Sequence, residues 1–227
     1  MNKHPNLAYE IIDKLPELFR FLEKKTEKIN LLAVNKNGAN LEYIENPSEI
    51  VILKALRNRG ESIQLVPNPS EYFCQIAVQN HGYAIRYIQN PTKFLQLLAV
   101  KQNGFSIQFI DNPSFDVQMA AVKKEGTALR FINNKSEDLC IAAIKQNPNA
   151  FRHARQTFPV CLLAIELNPS NLFSLVRTEI TETQQLDLCS KALKQEPSIA
   201  NKINNHIYTR LINRFLKEKN ITNNKKG

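Results

Sequence analysis

The sequence predicts an all-α fold: an α-solenoid, or superhelical array, of about nine 22-residue two-helix repeats with a C-terminal capping helix. Three observations predict it. Gly38, Gly60, Gly82, Gly104 and Gly126 stand 22 residues apart, and the next step of 22 falls on Pro148. Five residues before each of these six positions is an alanine (Ala33, Ala55, Ala77, Ala99, Ala121, Ala143), and twelve before is a hydroxyl residue (Thr26, Ser48, Ser70, Thr92, Ser114, Ser136). Asn-Pro-Ser/Thr recurs at Asn46, Asn68, Asn90 and Asn112. A fixed period of roughly 20 to 50 residues is the signature of a stacked array.

In each cycle the proline stops one helix, because the residue before it is pushed towards extended backbone. The hydroxyl then caps the next helix by accepting from its free N–H groups. That helix runs about ten residues to the glycine, which is expected to end it by adopting a positive φ. A shorter helix follows, such as Phe105 to Ile110. Neither is long enough to stand alone in water, so stacking must stabilise both.

Residues 1–203 form the array on this reading, with a first repeat at 4–25, regular repeats at 26–155 and divergent ones at 156–203. In the first, Pro16 takes the glycine place and Ile11 the alanine place. Beyond Pro148 the steps loosen to 21, at Pro169, and then 28, at Pro197, the extra residues falling in the polar stretch 178–185, where the array is expected to bend or break. Residues 204–219 read as an amphipathic capping helix, with Ile207, Leu211, Ile212 and Phe215 on one face and Arg210, Arg214 and Lys217 on the other. Residues 220–227 read as a disordered basic tail.

No run of 18 apolar residues occurs, so no transmembrane helix is expected. Residues 1–10 lack the apolar core of a signal peptide, and a cytoplasmic protein, acting in a host cytosol if delivered there, is the expectation. Cys74, Cys140, Cys161 and Cys189 each lie eight residues before the glycine or proline of their own cycle, in a column shared with Ile52. The column reads as a small apolar core position. Equivalent positions on neighbouring rungs are roughly 10 Å apart, beyond the ~7 Å limit for a disulfide, so free thiols in a reducing compartment are expected. The net charge of +9 is uneven: +2 over residues 1–113 and +7 over 114–227, of which +5 lies in the last 21 residues.

The recurring kernel A-V-K-x-N-G-x-x-I/L-x-F/Y-I, as at Ala99 to Ile110, resembles the repeat family called domain of unknown function 4116, over about residues 26–155. The resemblance implies tandem helical repeats of a kind found in protists, large viruses and bacteria living inside amoebae, and so a host-interacting microbial protein. It brings no activity and no catalytic residue to transfer.

A catalytic site needs several groups converging on one point. The histidines do not converge, His81 and His153 being more than three cycles apart, and there is no Gly-rich phosphate loop, Cys-x-x-Cys or H-E-x-x-H. No enzyme activity, cofactor or metal is expected. The candidate binding surface is the set of polar columns, since stacking aligns equivalent positions into ridges. Nine residues past the cap lie Arg57, Lys101, Lys123 and Lys145. Four past the glycine place lie Arg86, Arg130 and Arg152, followed by an aromatic column from Tyr43 to His153 that reads as inter-repeat packing. The expected function is a non-catalytic protein–protein interaction scaffold, an effector or inhibitor that binds a host protein through its repeat surface. Nucleic-acid binding by a basic repeat surface is the alternative, and no membrane partner is expected.

Overall fold

The computed structural model describes residues 5–175 and 180–202. The expected capping helix and basic tail lie outside the described residues, as do Thr178 and Glu179 of the polar stretch. The chain divides into two compact units, Met1–Lys124 and Glu125–Gly227. Each alternates α-helices with 3-10 helices, here labelled η. The first unit holds α1 (Pro5–Lys14), η1 (Pro16–Phe21), α2 (Glu27–Lys36), η2 (Gly38–Tyr43), α3 (Glu49–Asn58), η3 (Gly60–Leu65), α4 (Glu71–Asn80), η4 (Gly82–Tyr87), α5 (Lys93–Gln102), η5 (Gly104–Phe109) and α6 (Phe115–Lys124). The second holds η6 (Gly126–Phe131), α7 (Glu137–Gln146), η7 (Pro148–His153), α8 (Phe158–Leu167), η8 (Pro169–Ser174), α9 (Glu182–Gln195) and η9 (Pro197–Lys202). Within each unit every α-helix packs on the next α-helix and on the preceding 3-10 turn, the stacking of an all-α solenoid repeat.

The periodic apolar positions make the core. Ala33, Ala55, Ala77, Ala99 and Ala121 are fully buried in the first unit with Val34, Leu56, Val78, Val100 and Val122 beside them, as are Ala143, Ile144, Ala164 and Ile165 in the second. Each 3-10 turn adds one aliphatic or aromatic side chain, such as Ile63, Ile85, Leu129 or Phe151. Full burial of such a side chain stabilises by roughly 1.5–3 kcal/mol, which short helices lack when isolated.

The hydroxyl caps form as read except at Thr157, which makes no side-chain bond to the first turn of α8. Ser70 accepts from the Phe73 N–H at 3.3 Å, Thr92 from Leu95 at 3.3 Å and Ser136 from Leu139 at 3.3 Å. They also do something the sequence does not announce. Thr92 donates to the Glu71 carboxylate at 3.1 Å, Thr157 to Glu137 at 2.7 Å, and Ser48 to Glu27. Each cap thus ties itself to the first residue of the helix one repeat earlier.

The glycines do not act by positive φ. None of the described glycines has one; the helix stops on the preceding residue, extended at Asn37 with φ −148° and ψ 110°. Close approach is what excludes a side chain. A Cβ on Gly60 would lie 2.2 Å from the Ala77 carbonyl oxygen, one on Gly38 2.5 Å from that of Ala55, and one on Gly126 2.3 Å from that of Ala143. The buried alanine and the glycine are therefore two halves of one contact between successive repeats. Positive φ belongs to Asn46, Asn68, Asn90 and Asn112, at 47–48°, the residues expected to be extended before proline. Asparagine tolerates this left-handed conformation better than other non-glycine residues, which explains its place in the punctuation.

The space opposite Gly38, Gly60, Gly82 and Gly126 is closed by a side-chain amide from the next helix end; after Gly104 that position is Lys124. The Gly38 N–H donates to Asn58 Oδ1 at 2.7 Å, while Asn58 Nδ2 donates to the Asn35 carbonyl at 2.8 Å. Asn80 repeats both bonds on Gly60 and Arg57, each at 2.7 Å. Gln102 does so on Gly82 and Asn80, and Gln146 accepts from Gly126 at 2.6 Å. An amide carries a donor and an acceptor on separate atoms about 2.2 Å apart, so it can satisfy both groups left open at a helix junction at once.

Two further expectations change. The cysteine column is not uniformly apolar: Gln96 and Gln118 occupy it and bond the carbonyls of Pro91 and Pro113 at 3.0 and 2.8 Å. The long step to Pro197 does not break the second unit's stack, because α9 lengthens to 14 residues behind a Thr181–Gln184 capping box and packs on α8 and η8.

Candidate functional site

The last turns of α3, α5, α6 and α7 carry Arg57, Lys101, Lys123 and Lys145, all exposed. Helical geometry puts them there, since position nine from the cap lies opposite the buried stripe. Among the described residues none of the four makes an ion pair. In the first unit the column reads Arg57, Gln79, Lys101, Lys123.

The second column is not a simple row of cations. On η4, Arg86 is held by the Glu61 carboxylate at 3.1 Å, and its guanidinium lies 4.5 Å from the Tyr87 ring centroid and 5.8 Å from that of Phe109. Glu61 also pairs with Arg59 at 3.3 Å and faces His81 Nδ1 at 3.8 Å. On η6, Arg130 rests 4.5 Å from the centroid of Phe131. Apart from the exposed Tyr43 the aromatic column is half-buried, with Tyr83 beside it edge-on to Phe109 at 5.3 Å and arginines over the Tyr87 and Phe131 rings. The expectation of inter-repeat packing fits these contacts.

In the second unit the basic residues converge. Arg130 and Arg152 stand at the same position of η6 and η7, which pack on each other, and Lys135 lies in the loop between η6 and α7. The half-buried His153 ring titrates below its ordinary value, first because burial disfavours the imidazolium and then through repulsion by Arg152, Lys135 and Arg130. Lys135 and His153 were not among the sequence candidates. They are consecutive members of no single column, and only the turn stacking places them together.

A third feature was also missed. Two residues past the cap, Ile50, Tyr72 and Phe94 on α3, α4 and α5 are 65%, 51% and 54% exposed, and Phe115 at the start of α6 is 50% exposed. Equivalent positions on successive packed helices form an apolar row on the surface. Next to it, a cleft of about 430 Å³ is lined by apolar residues such as Ile63 and Leu95 and by polar ones such as Gln64 and Gln89, the hydrogen-bonded Glu71 and Thr92 among them. Tyr72 and Phe94 flank that pair in the chain. The signal was legible: a column apolar in three successive repeats that lies off the buried stripe.

The four cysteines are buried and unbridged. Burial pushes the Cys161 and Cys189 thiols up to about 12 and raises those of Cys74 and Cys140. Such thiols are inert core groups. Among the described residues no three His, Cys, Asp or Glu side chains gather as metal ligands would, and no helix is long and apolar enough to cross a membrane.

No curated protein and no solved structure matches the chain. Residues 114–159, from the cap of α6 to the first turn of α8, match the family model described as Domain of unknown function (DUF4116). It is to this family that the helical repeat built here is similar.

Proposed function

We propose that the chain is a non-catalytic scaffold that binds a protein partner through its repeat surface. The observation that carries this reading is the exposed row Ile50, Tyr72 and Phe94 beside a cleft of mixed polar and apolar lining. Exposed apolar residues are ordinary singly, but a contiguous row of them marks protein contact surfaces, where buried aromatic anchors supply most of the binding energy. Phosphate backbones offer such a row nothing. The exposed Arg57, Lys101 and Lys123 column belongs to the same unit and adds charge complementarity for a partner with acidic flanks. In the form implied by the family resemblance, the scaffold is a microbial or viral effector or inhibitor working in a host cytosol, a compartment that suits four free thiols.

The experiment is capture by the tagged full chain from a nuclease-treated lysate, beside an Ile50→Ser/Tyr72→Ser/Phe94→Ser variant and a Lys101→Glu/Lys123→Glu/Lys145→Glu variant. The apolar variant should lose the partner at least tenfold while its melting temperature holds, since exposed substitutions change stability little. The charge reversal should slow association more than it weakens the final complex. A partner retained by the folded apolar variant would sink the assignment of the surface.

The convergence of Arg130, Lys135 and Arg152 favours a second reading, nucleic-acid binding. It requires affinity that falls steeply with salt, by roughly one counterion per phosphate neutralised. Material recovered only from untreated lysate, with that slope, would establish it in place of the first.

A further inference from the structure

We propose that the two clefts on either side of the loop from η4 to α5 form one groove for an extended, polyproline-like peptide segment of a protein partner, which sets a side chain into each cleft at every third residue. The inference rests on the scaffold reading and gives the partner segment a conformation, but its residues are not those of the row Ile50, Tyr72 and Phe94. A variant in either set therefore tests one without the other.

The clefts repeat with the chain. The cleft of about 430 Å³ and a second of about 600 Å³ both include Ile88, Gln89, Asn90 and Pro91, so a single loop is the wall between them. Their linings are equivalent, since Ile63, Val66 and Tyr87 in the first stand 22 residues before Ile85, Ile88 and Phe109 in the second. Each cleft thus has a buried isoleucine at its base and an aromatic ring at its side. The shared wall is held in place. Gln96 Nε2 donates to the Pro91 carbonyl at 3.0 Å, and Thr92, at the end of the same loop, donates to Glu71 at 3.1 Å. A groove fixed before binding loses less entropy when it fills.

Spacing and polarity choose the occupant. Neighbouring rungs of packed helices stand roughly 8–10 Å apart, and a polyproline II chain advances about 9 Å in the three residues that return a side chain to the same face. A β-strand turns its third residue on to the opposite face. An α-helix is about 10–12 Å across, as wide as a rung, and bonds its own backbone internally. The groove instead presents three exposed side-chain amides, those of Gln64, Gln89 and Asn90, which among the described residues are bonded to no other group. A polyproline backbone has no internal hydrogen bonds, so its carbonyls are open to these donors. A nucleic-acid strand suits the groove less well. Glu71 lines the first cleft and Asp111 the second, and Arg86, also in the second, is already paired with Glu61 at 3.1 Å.

The test is an NMR titration of the Gln64 and Gln89 side-chain amides in the full chain with proline-rich peptides of about twelve residues. In each peptide one residue type, leucine, phenylalanine, glutamine or arginine in turn, recurs at every third position, and a control of the same composition is reordered to a spacing of two. At least one peptide with the three-residue spacing should shift both amides and bind at least tenfold more tightly than its control. Gln89→Trp, which fills both clefts from an exposed position, should abolish that binding while the melting temperature holds. If no peptide moves either amide the groove is overturned, and that measurement needs no variant to fold. Equal affinity for the two spacings overturns the polyproline-like occupant. A single-stranded oligonucleotide that shifts the amides where the peptides do not overturns the assignment to a protein partner. An Ile50→Ser/Tyr72→Ser/Phe94→Ser variant that keeps both the lysate partner and the peptide removes the row and leaves the groove, whereas loss of the partner with no peptide response removes the groove and leaves the scaffold.

Discussion

In the unit Met1–Lys124, η2 to η5 all begin on glycine, and the N–H groups of Gly38, Gly60 and Gly82 are met by Asn58, Asn80 and Gln102 from the following helix end. In the unit Glu125–Gly227, η7, η8 and η9 begin on proline, which has no N–H to satisfy. The partner position follows suit. Leu167 ends the helix after Pro148, and Lys36, which ends the helix after Pro16, pairs with Asp13 at 2.5 Å instead of bonding a backbone group. Gln195, after Pro169, keeps only the donor half of the bond, to the Glu166 carbonyl at 3.3 Å. The usual pairing at the junction is glycine with an amide; Gly104, followed by Lys124, and Pro169, followed by Gln195, depart from it. At Pro148 both members change together, Leu167 standing where the amide would be.

The largest effect in this comparison should come from filling the glycine contact. Gly60→Ala places a methyl 2.2 Å from a carbonyl oxygen that belongs to buried backbone, and overpacking of this kind costs about 1–3 kcal/mol or more. Chemical denaturation should show it as a lower midpoint. An unchanged midpoint would mean that the alanine–glycine seam is looser than described.

Next comes the amide. Asn80→Leu leaves the Gly60 N–H and the Arg57 carbonyl without their partner, at a cost of about 1–3 kcal/mol. The matched change in the other unit, Leu167→Gln, meets no N–H at Pro148 and should stay within about 0.5 kcal/mol. Equal losses at both positions would break the two-residue account.

A third effect separates the units by pH. Cys161 and Cys189 are pushed from an ordinary 9.0 to about 12 by burial. Between those values the unfolded chain releases thiol protons that the folded chain keeps, so their contribution to stability is complete below pH 9 and declines as pH rises towards 12. By pH 10 the loss should be about 1 kcal/mol per thiol. Melting temperatures at pH 8, 9 and 10 check this against a Cys161→Ala/Cys189→Ala variant, whose profile should be flatter. Alkylation of the native protein at pH 8 should be correspondingly slow.

Much of the fold was legible because stacking turns a local requirement into a column. Ala99, Val100 and Ile107 recur at fixed steps, and a period of 22 with a hydroxyl cap leaves few architectures open. The reasons behind two columns were not legible. A recurrent glycine signals that a side chain is excluded without saying whether φ or a neighbour excludes it, and here the neighbour, the Ala77 carbonyl one repeat away from Gly60, is invisible in the local sequence. The candidate site was read less well. Arg57, Lys101, Lys123 and Lys145 are exposed as expected, but Arg86 is tied to Glu61, a partner 25 residues earlier. Ile50, Tyr72 and Phe94 recur as an apolar column, but apolar character alone does not distinguish a covered column from an open one.

The sequence by itself determined the repeat, its helix starts, its alanine seam and its buried thiols. Each follows from spacing and side-chain size within one cycle, and each is enforced again in the next. Only the tertiary structure decided what lies between cycles: that Asn80 closes the backbone of the repeat before it, that Glu61 neutralises Arg86, that burial and then the charges of Arg152, Lys135 and Arg130 hold His153 below its ordinary value, and that Ile50, Tyr72 and Phe94 remain uncovered. The physical reason is that these interactions join residues about twenty positions apart through a stacking geometry that no single cycle contains.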